Sequence, residues 1–189
     1  MYIGLCRMWL EPLCETEADM DISIGKYVVY RAAEICRVTA LEQKNLDGRN
    51  TREYWVLSPV GAGRATYYVP ADCAQDKLRE VLTREQVLEL IDGMAGYETP
   101  GGGATDRERK AAQEAVLAEG DHGKVMRMTR ALHTEQERRL RSGKKLSASD
   151  EKAMKAAEAL ISREFGFVLG IDESEVAGFI RDRLSRADG

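Results

Sequence analysis

The hydrophobic pattern changes once along the chain, near residue 79. Upstream, residues 24–70 carry four short apolar runs that are rich in β-branched and aromatic side chains and are bounded by Gly, Asn, Asp or Pro. Residues 54–57 alternate as the two faces of a strand do, and turn-forming residues occupy positions 45–48 and 61–63. This pattern predicts four to five strands of a small antiparallel sheet or barrel.

From residue 83 onward, helix-start signals and helical spacing take over. Four helix starts are marked by a capping residue: Thr83, Thr105, Ser147 and Asp172. Gln86 and Glu108 follow the first two at the spacing of a capping box. Helix ends or turns are marked by glycine: Gly93, Gly120, Gly143 and Gly170. The pattern predicts a compact bundle of about five helices, with a flexible glycine-rich loop at 97–104.

The predicted fold class is therefore α+β, with an N-terminal SH3- or Tudor-like small β-barrel followed by the helical bundle. The predicted domains are residues 20–78 for the β module and residues 79–189 for the helices. Residues 1–19 lack the basic start of a secretion signal, and we expect a flexible N-terminal extension. Two interpretations of it stay open: an upstream addition to a protein that naturally starts at Met20, or an ordinary flexible arm.

Composition narrows the classes of function. Of the 189 residues, 43% are hydrophobic and 32% are charged, the net charge is −4, and no apolar run approaches the length of a membrane span. The four cysteines form no CxxC pair and have no histidine nearby, which argues against a zinc site or a disulfide-rich secreted fold and favours reduced cytosolic thiols. No P-loop, nucleophile elbow, HExxH or dinucleotide fingerprint is present.

The titratable side chains likewise show no arrangement that is typical of catalysis. His122 is expected to be a capping or surface residue, His133 is expected to be solvated, and the carboxylates are expected to be scattered along helix surfaces. We therefore predict a cytoplasmic protein that is not an enzyme, has no catalytic residues, and needs no metal or cofactor.

Positive charge is concentrated in one predicted helix, from about residue 122 to residue 142, and in the turn after it. Residues 122–145 contain only two acidic residues, Glu135 and Glu137, and these basic ones: Lys124, Arg127, Arg130, Arg138, Arg139, Arg141, Lys144 and Lys145. At 100° per residue, an apolar side is predicted for Val125, Met128, Leu132 and Leu140, and a basic side for Lys124, Arg127, Arg130, Arg138 and Arg141. A basic side of this kind can follow a phosphate backbone. The alternative is an ordinary solvated helix face, which composition alone favours.

Seven segments, in order, carry a resemblance to a known family. They are IGKYVVY at 24–30, EYWVL at 53–57, YYVPAD at 67–72, LTREQV at 82–87, GD at 120–121, KKLSASDEK at 144–152 and FGFVLGI at 165–171. Together with the β module and the bundle, they resemble the CarD/CdnL family of bacterial transcription regulators over nearly all of residues 20–184. The C-terminal half is most similar to the clostridial branch.

The resemblance implies a function. Family members have an N-terminal Tudor-like domain that docks on the β subunit of RNA polymerase. Their C-terminal helical domain contacts promoter DNA near the upstream edge of the transcription bubble, where it stabilises the open complex with the help of a Trp wedged into the minor groove. We therefore expect a non-enzymatic regulator, monomeric, whose partners are RNA polymerase and promoter DNA.

Carried over residue by residue, the resemblance assigns two sets of positions. The polymerase-binding positions are Lys44, Leu46 and Tyr68, where Tyr68 replaces a basic residue that some members have. The DNA-binding positions are Arg107, Arg109, Lys110, Lys124, Arg127, Arg138, Arg141, Lys144 and Lys145.

Two departures from the family bear on function. The wedge Trp belongs near Asp106, where this chain has the glycine-rich residues 101–104, and Tyr97 is the nearest aromatic residue. Because glycine cannot fill the space between base steps, we predict weaker stabilisation of the open complex than is usual in the family. Glu34 stands where the family usually has Gly in the first hairpin. An alternative therefore stays open, in which the barrel docks on polymerase while the bundle contacts another protein and not DNA.

Overall fold

The computed structural model describes residues 20–31, 33–46, 48, 50–61, 65–94 and 105–187. Its strands are β1 (Tyr27–Tyr30), β2 (Glu34–Lys44), β3 (Arg52–Pro59), β4 (Tyr67–Pro70) and β5 (Leu78–Glu80). Its helices are α1 (Arg84–Gly93), α2 (Asp106–Glu119), α3 (His122–Arg141), α4 (Ala148–Leu169) and α5 (Val176–Ala187). The predicted α+β fold class, an antiparallel sheet followed by a helical bundle, is confirmed.

The sheet has the strand order β4-β3-β2-β1-β5, and all neighbouring strands are antiparallel. Strand β2 is the long central strand, and an irregularity in its pairing between Val38 and Ala40 lets it bend. One face of the sheet encloses a core of buried side chains: Val28, Cys36, Val38, Leu57, Val69, Ala74 and Leu78. Strand β5 spans the predicted boundary at residue 78, so the division into two domains at that residue stays a prediction.

The first hairpin tolerates a residue other than glycine at position 34. Glu34 is an ordinary strand residue opposite Tyr30. Among the described residues of this turn, Arg31 has a left-handed backbone, at a φ of 58°. The departure from the family at Glu34 therefore leaves the pairing of β1 with β2 intact.

Local signals set several helix ends where the sequence places them, but not the start of α5, which begins at Val176, four residues after the predicted cap Asp172. Thr83 and Thr105 each accept a hydrogen bond from the backbone N–H three positions on, and both capping boxes are complete. The hydroxyl of Ser147 caps α4 in the same way. Helices α2 and α4 end at Gly120 and Gly170, whose positive φ angles of 71° and 70° suit glycine. The predicted loop at 97–104 and the extension at 1–19 lie outside the described residues.

Asp150 is a buried carboxylate that joins α2 to the start of α4. Its oxygens accept hydrogen bonds from Arg109 Nε (3.1 Å), Gln113 Nε2 (2.9 Å) and Ser147 Oγ (2.7 Å). Burial by itself would raise the pKa of this carboxyl, but the three donors together hold it below its ordinary value. The expectation that carboxylates are scattered along helix surfaces is therefore wrong at Asp150.

Glu164 is a second buried carboxylate, and its side chain is 0% exposed. Arg79 of β5 donates to both of its oxygens, at 2.9 and 2.6 Å, and the backbone N–H of Leu82 donates at 3.0 Å. Nε2 of His122, the first residue of α3, lies 3.0 Å from Oε2. We call these four residues the Glu164 cluster. It connects the sheet, the linker to α1, and helices α3 and α4.

The Glu164 cluster also explains why the prediction for His122 is wrong. This residue is buried, and its ring stacks on Phe165 with the ring centroids 6.0 Å apart, because the start of α3 packs onto α4. The prediction of a capping or surface role is wrong, and Asp121 is the cap of α3. His133, by contrast, is partly exposed and lies 2.9 Å from Glu158 at the surface.

The sheet and the bundle also meet through apolar contacts. The rings of Tyr27 and Phe167 pack edge to face at 5.0 Å. Ala33 of the first hairpin and Leu82 of the linker pack against the main bundle core. That core contains Val87, Ile91, Met94, Val125, Met126, Ala157, Leu160, Ile161, Phe165 and Val176. The two parts of the fold are therefore packed directly against each other.

The buried position of Glu164 makes a pH-dependent contribution to stability. Burial acts to raise the pKa of this carboxyl, but the hydrogen bonds from Arg79 and the nearby His122 outweigh it and lower the pKa from 4.5 to about 2. Because the folded-state pKa is depressed, the stabilisation is complete above the ordinary value and is lost as the pH falls toward 2. We expect Glu164→Gln to lower the free energy of unfolding near neutral pH by about 3 kcal/mol.

Urea unfolding at a series of pH values measures this effect, and the difference between wild type and variant should shrink as the pH falls from about 4.5 and largely disappear near pH 2. Glu158→Gln is the matched control, since Glu158 lies on the same helix but at the surface. It should change the free energy of unfolding by less than about 0.5 kcal/mol. Equal stability of wild type and Glu164→Gln near neutral pH would contradict the prediction.

Candidate functional site

The face of the sheet away from its core brings several of the predicted residues together. Directly paired residues project to the same face, so the register assigns Ala40, Val56 and Tyr68 to one row. The next row contains Glu42 and Tyr54, and the last pairs Lys44 with Arg52. Because Trp55, Leu57 and Val69 face the core, we call the opposite side the outer face of the sheet.

Lys44 and Tyr68 contact each other on the outer face. Nζ of Lys44 donates a hydrogen bond of 2.8 Å to Oη of Tyr68 and lies 4.2 Å from the centre of its ring. The same ammonium lies 3.0 Å from Oε2 of Glu42. The hydrogen bonds to Tyr68 and then Glu42 raise the pKa of Lys44 above its ordinary value. Lys44 is thus a fixed cation with an aromatic partner, available at the surface.

The side chains next to Lys44 and Tyr68 on the outer face are largely apolar. Tyr54 and Val56 are both buried although they belong to the outer face. Leu46 is exposed just beyond the end of β2, beside a turn that is only partly described. The structure therefore joins two of the three predicted polymerase-binding residues and leaves the third as an exposed apolar side chain nearby. Sequence reasoning missed Glu42 and Arg52, which only the cross-strand register reveals.

On α3, the predicted division into two sides is largely correct. Val125, Met126, Thr129 and Leu132 are buried, and Arg138 and Arg141 are exposed on the opposite side. Lys144 and Lys145 are exposed in the turn that follows. We call the following residues the α3 basic surface: Arg127, Arg138, Arg141, Lys144 and Lys145.

Leu140 does not belong to the apolar side, because it is 60% exposed. Leu132 packs on Ala153 and Met154 of α4. Helices α3 and α4 are antiparallel neighbours joined by a short turn. Leu140 lies eight positions after Leu132, so it extends beyond the first residue of α4, Ala148. Leu140 therefore has no part of α4 to pack against.

Arg130 is also misplaced by the simple helical pattern. Its Nη1 donates a hydrogen bond of 2.7 Å to the carbonyl oxygen of Met94, at the end of α1. The guanidinium is half-buried and helps to hold α3 against α1. Arg130 is therefore not part of an exposed basic face.

Acidic residues of α3 reduce the charge of the α3 basic surface without cancelling it. Glu135 accepts hydrogen bonds from Arg138 at 2.7 and 2.8 Å and from Arg139 at 2.6 Å, which lower its pKa to about 2. Glu137 lies 3.9 Å from Arg141. Because several cations share these two carboxylates, the end of α3 and the turn after it keep a net positive charge.

The remaining predicted DNA-binding residues are less available. Arg109 lies 2.5 Å from Asp106 and 3.1 Å from Asp150, so its guanidinium holds α2 to α4. Lys124 forms a close ion pair with Glu119 of α2. Arg107 and Lys110 are exposed on α2. The acidic residues of that helix, however, outnumber its basic residues. The acidic residues are Asp106, Glu108, Glu114 and Glu119. The wedge region at 101–104 lies outside the described residues.

Within the described residues, neither metal binding nor membrane insertion has a structural signal. In the part of the chain that the structure describes, no three His, Cys, Asp or Glu side chains gather in a way that holds a metal ion. None of the described helices combines the length and apolar character needed to cross a lipid bilayer.

The division of α3 into sides can be tested with two leucines on the same helix. We expect Leu132→Ala to lower the free energy of unfolding by about 2–4 kcal/mol, because it opens a cavity against α4. Leu140→Ala should change it by less than about 0.5 kcal/mol, since the side chain is already exposed to water. Urea unfolding of both variants measures the difference, and an equal effect in both would show that Leu140 is packed.

Comparison with known proteins adds to this geometry. No curated protein matches the chain. Residues 22–82 match the model of a family described as the CarD-like/TRCF RID domain. The matched range contains all five strands together with Lys44, Leu46 and Tyr68, and it ends just before α1. Over this range the chain is similar to CarD-like/TRCF RID domains, which supports the CarD-like resemblance for the β module.

Proposed function

We propose that the protein is a cytoplasmic, monomeric CarD-like transcription regulator that docks on the β subunit of RNA polymerase and contacts promoter DNA. The observation that carries this proposal is the match of residues 22–82 to the CarD-like/TRCF RID domain, an RNA polymerase β-interacting domain. The sheet is the docking module, and the helical half is the DNA-contacting module. The assignment of the helical half to the clostridial branch stays a prediction.

The outer face of the sheet has properties that suit docking on a protein surface. Lys44 is held by Tyr68 and Glu42 in one position, so little side-chain freedom is lost when a partner binds. Buried Tyr54 and Val56 make the face rigid beneath the charge, and Leu46 adds an exposed apolar contact. A positioned cation beside an aromatic ring and an aliphatic side chain is a suitable anchor for an acidic or polar partner.

The α3 basic surface is the proposed DNA contact. Lysine and arginine side chains along one helix face and the following turn can neutralise several phosphates, which gives affinity without base readout. The contact is electrostatic, sequence-independent and weak, because Glu135 and Glu137 offset part of the charge. Polymerase docking therefore supplies most of the affinity for the promoter complex, and the helical half modulates the stability of the open complex.

A second candidate function is a docking module whose helical half contacts another protein instead of DNA. The observation that favours it is the same neutralisation: Glu135 binds both Arg138 and Arg139, and Lys124 is paired with Glu119. Charge reversal on the α3 basic surface separates the two functions. The first predicts that DNA association is lost, and the second predicts that function is unchanged.

Polymerase docking is tested with Lys44→Glu in a binding assay against the isolated β lobe of RNA polymerase from the same source. We expect the affinity to fall by at least about tenfold, because the reversal places an anion where the fixed cation stood. Lys77→Glu is the matched control, since Lys77 is an exposed cation that precedes β5 at the opposite edge of the sheet. Binding of Lys44→Glu at the wild-type level would refute the docking site.

DNA contact is tested with the double variant Arg141→Glu and Lys144→Glu by anisotropy of a labelled duplex over a series of salt concentrations. We expect the slope of log affinity against log salt to become shallower by about 0.9 for each phosphate that the variant no longer neutralises. Lys155→Glu is the matched control on α4, because Lys155 and Arg141 each lie one helical turn from a glutamate, at 3.3 and 3.9 Å. Equal binding by the double variant and wild type would favour the second candidate function.

A further inference from the structure

The outer face of the sheet and the α3 basic surface belong to different halves of the fold, and their relative orientation depends on a small number of contacts. We infer that the Arg79–Glu164 pair is a positioning device that fixes this orientation, so that docking on polymerase places the α3 basic surface against promoter DNA. The inference rests on the proposed function for its two partners, but its geometric part concerns the free protein.

The pair has the geometry of a directional clamp. Both nitrogens of the Arg79 fork donate to both oxygens of Glu164, at 2.9 and 2.6 Å, across 85 positions of sequence. A bidentate pair of planar groups sets an angle as well as a distance. Arg79 is itself held in the sheet opposite Val29 of β1. The carboxylate therefore fixes α4 relative to the sheet.

A second contact removes the remaining rotation. The rings of Tyr27 and Phe167 meet at 5.0 Å, and Phe167 lies three residues, about one helical turn, beyond Glu164 on α4. The linker between β5 and α1 consists of residues 81–83 only, and Leu82 within it donates its N–H to Glu164 at 3.0 Å. A short linker limits how far the two halves separate, whereas the clamp and the ring contact set their angle.

The same carboxylate connects directly to the helix that carries the DNA contact. His122, the first residue of α3, lies 3.0 Å from Oε2 of Glu164. The position of α3, which carries the α3 basic surface, is therefore linked to strand β5 through the side chain of Glu164. Because strands β1 to β4 continue the sheet to Lys44 and Tyr68, a continuous chain of contacts runs from the outer face to α3.

Stability alone does not account for such a pair. Desolvation cancels much of the attraction between buried charges, and a well-packed apolar pair is often at least as stable. What a bidentate pair around a buried carboxylate adds is a defined geometry. Two binding surfaces held on one rigid body bind a composite target with a high effective concentration, and a wrong angle removes this gain.

The experiment uses the full chain with Arg79→Gln, which breaks the fork, and Arg79→Lys, which keeps the charge. Arg183→Gln is the matched control, because it breaks another bidentate pair, with Asp92 at 2.6 and 2.7 Å, that lies wholly within the bundle. Three affinities are measured: for the isolated β lobe, for duplex DNA, and for the polymerase–promoter complex. Small-angle scattering of each free variant reports the relative arrangement of the two halves.

We expect Arg79→Gln to keep the two separate affinities within about twofold of wild type. Its affinity for the polymerase–promoter complex should fall by about tenfold, and its scattering should show a broader distribution of intramolecular distances. Arg79→Lys should retain part of the coupled affinity, and Arg183→Gln should retain all of it.

Three results would overturn the inference: unchanged scattering in Arg79→Gln, coupled affinity equal to that of Arg183→Gln, or a parallel decrease of both separate affinities, which would mark Arg79 as merely structural. Failure of the proposed function gives a different result. In that case wild type binds neither the β lobe nor DNA, while the scattering of Arg79→Gln still decides whether the pair fixes the orientation.

Discussion

A carboxylate that is removed from water must be neutralised where it lies, and Glu164 meets this condition only when the sheet, the linker and two helices are all in place. The same rule operates at Asp150, which needs α2 and the cap of α4. Helix α4 carries both carboxylates, so it is the element against which the others are aligned. The fold is thus held by a hydrophobic core and oriented by two buried charges.

The sequence predicts those parts of the fold that depend on neighbours in the chain. The caps at Thr83, Thr105 and Ser147 work over three positions, and the glycine ends work over one turn, so both are visible without tertiary structure. The partners of Glu164 are not visible, because Arg79 lies 85 positions away and nothing local marks Glu164 as buried. The burial of His122 escapes sequence reasoning for the same reason.

For the candidate site, periodicity correctly separates the sides of α3 but not the length over which each side is covered. Leu140 has the phase of a core residue and lies beyond the start of the facing helix. Arg109 and Arg130 carry the positive charge that DNA-binding residues need, but both are used within the fold. Arg109 donates to Asp150, and Arg130 donates to the carbonyl oxygen of Met94. The contact between Lys44 and Tyr68 requires the strand register, which the order of apolar runs along the chain does not give.

The two ends of the sheet have a consequence for behaviour at high concentration. Open strand edges present unpaired backbone groups on which another chain can add a strand. Here the edge strands are β4, with four residues, and β5, with three. Pro70 removes one N–H donor from β4, and β5 runs directly into the linker. A second copy thus finds little backbone to pair with, which protects a sheet rich in β-branched residues from aggregation by strand addition.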